Sequence, residues 1–296
     1  MSDRRTPRLA LATSAEHPEL HEDDLPLLPA LREAGLDPVP AVWTDPSIDW
    51  SSFDAVLLRS VWDYHERYLE FTEWLGLLDK AGVRLLNDTD LVRWNADKRY
   101  LLELRERGVA IVPTQIAAGA CLREVVGGLT GEEIVVKPTV SASAMHTVRG
   151  VAGGDELSGA LDALPDGAYL VQPFQPEITA EGEWSLLYFD GEFSHSVLKR
   201  PGDGDFRVQH HLGGSVAAAP VPAPALEVAA ATLAALDLRV PPLYARIDGI
   251  MSGGRFLLME AELIEPYLFL PDHPEAYARF AQVTAARVLQ PGESGL

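Results

Sequence analysis

LYARIDGIMSGGRFLLMEAELIEP, residues 243–266, reads as two strands joined by a Gly-Gly turn. Arg246 and Asp248 lie on the first strand, Glu260 and Glu262 on the second. Residues two apart in a strand point to the same face. Paired strands therefore bring three carboxylates and a guanidinium into one small region. Ile247, Leu257, Leu258 and Met259 lie between them and read as a buried sheet. Carboxylates set against a core repel one another and are costly to desolvate, so they need cations. Hard oxygen donors of this kind suit Mg2+.

The rest of the chain limits what such a site can serve. Its 296 residues allow two or three subdomains with cores, and 47 % hydrophobic content is ordinary for a globular protein. No apolar run is long enough to span a bilayer. LALAT near the N-terminus reads as a first buried strand; Asp3 and the acidic residues that follow argue against a signal peptide, so a cytoplasmic protein is expected. The single Cys121 excludes an intrachain disulfide and disfavours a cysteine metal site. A net charge of -20 opposes nucleic acid and anionic membranes, because no basic surplus exists to release counterions. A nucleotide needs only a few local cations and a metal, so it stays open.

Residues 8–90 alternate strands and helices. RLALAT, DPVPAVW, FDAVLLRSVWDY and VRLLN read as strands; DDLPLLPALREAGL and HERYLEFTEWLGLLDKAG read as helices stopped by glycine. Such alternation builds a parallel α/β sheet, whose ligands gather at the carboxyl ends of the strands. Here that end is Arg59–Tyr64. A second unit starts near Asn95, with the helix ADKRYLLELRERG, strands in VAIVPTQIA and EEIVVKPTV, the loop SASAMHTVRG, the helix DELSGALDAL and the strand AYLVQPFQ. A third holds a hairpin turning at Asp190-Gly191, the loop GDGDFRVQHHLGGS, an Ala-rich helix, the carboxylate hairpin and a last helix over Pro274–Leu289. The expected units are 1–94, 95–171 and 172–296. Residues 61–80 offer an aromatic surface that would either pair subunits or serve as core.

Lys137 ends an apolar β-branched run, where it is either edge protection or a cation aimed into a cleft; the proline and flexible loop that follow favour the cleft. Lys98, taken alone, reads as a solvated helix lysine. Thr139–Arg149 is rich in small and hydroxyl residues that let backbone N–H groups approach phosphate. No G-x-x-x-x-G-K-[ST], strand-borne G-x-G-x-x-G or G-x-S-x-G is present, which sets aside the P-loop, the dinucleotide fold and serine hydrolysis. Arg207 sits in a Gly-rich loop and could clamp a phosphoryl group. His210-His211 lacks a third ligand at zinc spacing.

Taken in order, the two lysines, the small-residue loop, the Q-P-F segment, Gly-Glu, D-F-R, R-x-D and E-x-E resemble the ATP-grasp superfamily over nearly the whole chain. The branch is that of the ribosomal-protein glutamate ligases and glutathione synthetases. The implied fold is α/β: an N-terminal parallel domain followed by two α+β subdomains that sandwich ATP. The resemblance implies that Lys98 and Lys137 hold the phosphates, with Ser141 and Ser143 in the lid above them. Gln172, Pro173 and Phe174 would receive adenine, Glu177 the ribose, and Glu183 and Lys199 would lie near the nucleotide. Arg207 would meet the transferred phosphoryl and Arg246 the substrate or phosphate. Asp248 and Glu260 would bind two Mg2+ ions. Glu262 replaces the usual Asn and adds a third carboxylate, and SASAMH replaces a glycine-rich lid, which puts the lid's phosphate contacts in question.

The activity so implied is ATP-dependent ligation through an acyl phosphate on a small amino acid, attacked by a nitrogen nucleophile. Arg59–His65 and the segment EPYLFLPDH, residues 265–273, would line the acceptor side. Arg59 would pair with a substrate carboxylate and Asp63 with its amino group, beside Ser60 and Tyr64; Trp62 and Tyr64 read equally well as a domain seal. The pattern also looks like the cyclo-ligases that close D-cycloserine from O-ureido-D-serine. An intermolecular amino-acid or peptide ligase, a non-catalytic ATP-binding protein and a metal-dependent hydrolase remain the alternatives.

Overall fold

The computed structural model describes residues 5–142, 144–202, 204–208 and 213–290. The N-terminal part runs β1 (Arg8–Thr13), α1 (Leu27–Glu33), β2 (Asp37–Val42), β3 (Ala55–Leu58), α2 (Tyr68–Ala81) and β4 (Arg84–Leu85). All its pairings are parallel, in the order β2-β1-β3-β4. β3 is buried throughout, as expected for a central parallel strand covered on both faces. Phe71, Trp74 and Leu78 of α2 are buried in this unit's core, with Tyr64 beside them. The aromatic residues of 61–80 therefore serve as core.

α3 (Thr89–Asn95) and α4 (Tyr100–Glu106) lead onward. The sequence reads a single helix beginning near Asn95; there are two, because Asp88 caps a separate first one by accepting from the N–H of Leu91. An antiparallel sheet follows, built from β5 (Gln115–Ala118), β6 (Glu133–Pro138), β7 (Val148–Val151) and β8 (Ala168–Pro173) in the order β5-β8-β6-β7. α5 (Leu122–Gly127) and α6 (Asp155–Asp162) cover it. The strand expected over VAIVPTQIA shortens to β5, and Ile111 makes only an isolated bridge to Leu258. β7 and α5 had no separate reading; both are short and weakly periodic.

After α7 (Glu177–Ala180) comes a second antiparallel sheet: β9 (Glu183–Phe189), β10 (Glu192–Arg200), β11 (Ser215–Ala217), β12 (Tyr244–Ser252) and β13 (Arg255–Glu262). Its order is β11-β10-β9-β12-β13. α8 (Ala223–Ala235) packs on β13, and α9 (Glu275–Leu289) closes the described chain. Asp190 and Gly191 turn the β9–β10 hairpin with φ of 51° and 79°, the left-handed pair that a tight two-residue turn needs.

The cores explain how these parts are coupled. Phe280 and Ala281 of α9 pack with Leu27 and Leu31 of α1, Leu9 and Leu11 of β1, and Phe189, Val197 and Tyr244 of the large sheet. The N-terminal sheet and the β9–β13 sheet thus share one core, with roughly 1.5–3 kcal/mol per fully buried large side chain. The β5–β8 sheet instead has a cluster of its own, including Ile134, Val136, Leu157 and Val171. Its main apolar investment is internal, so it is the part least tied to the others.

Candidate active site

The β12–β13 register sets Arg246 opposite Glu262 and Asp248 opposite Glu260. β9 and β10 extend the same face, with Ser185 opposite Asp248 and Lys199 opposite Glu183. A bulge falls between Asp248 and Gly249. A Cβ on Gly249 would lie 2.4 Å from the Leu257 carbonyl oxygen and the Phe256 ring, so only glycine allows this kink beside Asp248.

Charges on this face are paired almost completely. Arg246 donates to Asp248 (2.9 Å from Nη2 to Oδ2) and also to Glu262. Ser185 donates to Asp248 at 2.6 Å. Lys199 Nζ lies 2.7 Å from Glu183 and 3.6 Å from Asp248. Lys98 Nζ stands 3.0 Å from Glu260 and also donates to the Ser141 carbonyl, so it is no solvated helix lysine. Lys137 has no ion pair within 4 Å among the described residues, although Glu260 and Lys98 both act on its charge.

Burial would raise every carboxyl here, and the neighbours decide which stay charged. Arg246 and Lys199 outweigh burial at Asp248 and hold it below its ordinary value. Lys98 and Lys137 do the same at Glu260. Glu262 goes the other way: burial, with Asp248 and Glu260 adding to it, pushes it up to about 7 despite Arg246. Burial lowers Lys137, and Lys98 lowers it further.

Two anionic carboxylates facing each other across a strand pair fit a Mg2+ ion, which takes one or two carboxylates and completes its shell with water and phosphate oxygens. Among the described residues no three His, Cys, Asp or Glu side chains stand together as a ready cage. Glu262, expected as a third ligand, is held by Arg246, which also grips Asp248.

The presumed nucleotide side is partly as expected. Pro173 ends β8, and the Phe174 N–H donates to the Glu133 carbonyl. The Arg149 guanidinium lies 3.4 Å from the Phe174 ring centroid, and Phe206 meets the same ring edge-on. Gln172 is turned inward and donates to Thr114 at 2.8 Å. Glu177 accepts from Ser252 with one oxygen, and its other oxygen is buried without a partner. Arg207 is not brought to the carboxylates; Asp205 takes its guanidinium at 2.8 Å. Ser141 lies beside Lys98, whereas Ser143, His210 and His211 fall outside the described residues.

The acceptor side requires more correction. Arg59 is 1 % exposed and forms a two-point pair with Asp24, so the carboxylate it meets is the chain's own. Asp63 accepts from the Trp43 indole at 2.8 Å, and Ser60 accepts from the His21 N–H. Tyr64 is buried with no hydroxyl partner among the described residues, and burial together with Glu265, Glu260 and Glu262 raises it well above its ordinary value.

Sequence reasoning places residues 265–273 on the acceptor side but gives Glu265 no role of its own. Glu265 follows β13 in a segment whose carbonyls are held one by one. Leu263 accepts from Asn87, Ile264 from Tyr244, Glu265 from Trp62, Pro266 from Arg59, Tyr267 from Arg246 and Leu268 from the His195 ring. The Glu265 side chain, 9 % exposed, has no ion pair and no hydrogen bond to another residue among the described ones; its own backbone N–H acts on the carboxyl. An acid isolated in the apolar run LIEPYLFL was the available signal.

Comparison with known proteins now decides the lineage. Residues 9–87 match the family described as D-cycloserine synthetase DcsG, N-terminal domain. The cycloserine biosynthesis protein DcsG of Streptomyces lavendulae is 33 % identical over 300 residues, covering 95 % of this chain and 98 % of that one. The chain belongs to the DcsG family of ATP-grasp ligases. A crystal structure of D-cycloserine synthetase DcsG superposes with a TM-score of 0.84 at 32 % identity, over 95 % of this chain and 99 % of that one. The fold reaches further: D-alanine–D-alanine ligase from Bacillus anthracis gives a TM-score of 0.70 at 18 % identity, over 96 % and 97 % of the two chains. The family assignment makes this an ATP-dependent carbon–nitrogen ligase and bears out the ATP-grasp fold expected from the motifs.

Proposed function

We propose that the protein phosphorylates the carboxylate of a small amino acid with ATP and then joins that carbon to a nitrogen of the same molecule. The observation that carries this reading is the Asp248–Glu260 cross-strand pair, facing Lys98, Lys137 and Lys199 on one sheet face. Asp248 and Glu260 would hold Mg2+, which supplies positive charge to the phosphoryl group in flight. Lys98 and Lys137 bind the triphosphate, and Lys98 leaves Glu260 for it. Glu177 offers its unpartnered oxygen to the ribose, with Gln172, Pro173 and Phe174 forming the edge of the base pocket.

A carboxylate is a poor electrophile because its leaving group would be an oxide. Its oxygen attacks the γ-phosphorus, ADP departs, and the acyl phosphate carries a good leaving group. The nitrogen then attacks the carbonyl carbon, loses a proton and expels inorganic phosphate. The β5–β8 unit, with its separate core, closes over the site and excludes water that would hydrolyse the intermediate. The units 1–94, 95–171 and 172–296 go with this division of labour.

Likeness to DcsG over nearly the full chain supports O-ureido-D-serine as substrate and D-cycloserine as product. The test is ADP release against a panel of small amino acids, with and without a separate amine. ADP together with a cyclised product from O-ureido-D-serine alone is expected. A requirement for a second amine would make the enzyme an intermolecular ligase. AMP in place of ADP would remove the acyl phosphate.

A further inference from the structure

We propose that Glu265 seats a primary ammonium group of the substrate. The proposal rests on the ligase reading above and names what the acceptor molecule must carry.

The argument begins with the backbone. Six consecutive carbonyls, from Leu263 to Leu268, each accept a donor from a side chain elsewhere in the fold. The donors come from β10, β12, the β3 exit loop and the turn before α3, so both large units clamp the segment. Its other side chains are consumed as well. Leu263, Ile264 and Leu268 are buried in apolar cores, and the Tyr267 hydroxyl donates to Asp23. On a segment fixed this closely, Glu265 is the polar side chain left without a protein partner among the described residues.

Charge then identifies the missing partner. Glu183, Asp248, Glu260 and Glu262 each have a lysine or arginine within 4 Å. Among the described residues Glu265 has none, and Lys137 is the cation of this group without a close anion. The two stand at different ends of the chemistry: Lys137 closes β6, and Glu265 lies beside Tyr64 and Trp62 at the carboxyl end of the N-terminal sheet. A triphosphate suits the first. The second lies near the Glu262 carboxyl, and the two cations that act on it, Lys98 and Arg246, are each paired to another carboxylate, which leaves Glu265 without a cation of its own. Asp63, the other candidate for an amine, is committed to Trp43. Burial, together with Glu262, pushes the Glu265 carboxyl up to about 8, so it lacks a counter-charge that an ammonium would provide.

The distance logic fits an α-amino acid. Its nitrogen and carboxyl carbon are roughly 2.5 Å apart. Arg246 acts on the Glu265 charge and donates to the carbonyl of Tyr267, two residues further on, so an ammonium held at Glu265 would turn the carboxylate of the same molecule toward that guanidinium, which also grips Asp248. One contact then fixes both the identity of the substrate and the position of the oxygen that must attack phosphorus.

Calorimetry on the whole chain tests this with D-serine, O-ureido-D-serine and the analogue of each that lacks the amino group. At least one amine is expected to bind about tenfold or more tightly than its deaminated analogue. Glu265→Gln should erase most of that gap and leave ATP affinity as it was, while Glu265→Asp should retain part of it. Amine binding to the unaltered protein near pH 7 should also release a proton, read by comparing buffers of different ionisation enthalpy. Equal binding of amine and analogue, absence of amine binding, a gap that survives in Glu265→Gln, or no proton release would overturn the proposal. ATP titration of the same samples separates the two levels: no heat with ATP removes the ligase reading itself, whereas ATP heat without amine discrimination removes only the ammonium seat.

Discussion

On the β12–β13 face the carboxylates are satisfied by lysines and arginines projecting from neighbouring strands and from the start of α4. At the carboxyl ends of the N-terminal strands most polar groups are engaged too, Arg59 Nη1 and His65 Nε2 excepted, but by partners that lock the fold: Asp24 on Arg59, Trp43 on Asp63, His21 on Ser60. The difference lies in what the pairs can exchange. Glu260 keeps 25 % of its side chain exposed, so it and Lys98 can each trade the partner for a ligand of the same charge. Arg59 and Asp24 are buried together, 1 % and 8 % exposed, and trading either would strand a charge in the core. Ion pairs on the first face hold a site ready; the pairs at the second hold the N-terminal unit together, and Arg59 and Trp62 tie it to the carbonyls of Pro266 and Glu265.

The sharpest break of that comparison is Glu260→Gln. Amide for carboxylate preserves shape and removes a charge from the metal pair, so turnover should fall by about a thousandfold with an unchanged melting temperature. Turnover at the original level would show that the metal assignment is wrong. Arg59→Ala should do the reverse. It leaves Asp24 buried without its cation and should cost about 3–5 kcal/mol, seen as a lower urea midpoint. Protein that remains folded should keep its turnover; a stable variant without activity would return Arg59 to the substrate site. Lys137→Met lies between. With no partner to abandon, it should leave stability nearly level while raising the KM for ATP by about tenfold. An unchanged KM would take Lys137 out of the nucleotide site.

These contrasts also explain what the sequence reveals. Strand period makes the hairpin legible: once residues 243–252 and 255–262 are strands, Arg246, Asp248, Glu260 and Glu262 must share a face, and they do. The register of β9 with β10 follows from Asp190-Gly191 in the same way. Pairing outside a sheet is not periodic. Nothing in RSVWDYH indicates that Asp24, 35 residues upstream, captures Arg59, or that Trp43 reaches Asp63. Those are tertiary choices made by packing, and they turn plausible binding residues into supports. Arg207 is the local version of the same choice, since Asp205, two residues away, takes it. Glu265 shows the converse: an acid in an apolar run gains meaning only when every neighbouring carbonyl is found to be committed elsewhere.

The smallest expected effect concerns stability against pH. The Glu265 carboxyl is pushed from its ordinary 4.5 up to about 8 by burial and by Glu262. Between those two values the folded chain holds a proton that the unfolded chain has released. Stability must therefore fall as pH rises through that window, with no penalty from this group below it and the full penalty above. Glu265→Gln cannot ionise and should lack that decline. The difference in melting temperature between variant and parent should thus grow from pH 5 to pH 8.5 in the variant's favour, by a few degrees. Lys98 and Arg246 act on the same carboxyl and oppose the shift, so their ligands matter: nucleotide that draws Lys98 away should steepen the parent's decline, and an amine seated on Glu265 should abolish it. A parent and variant that run parallel across this range would mean that the carboxyl already has a counter-charge, and the acceptor end would then be as fully paired as the hairpin face.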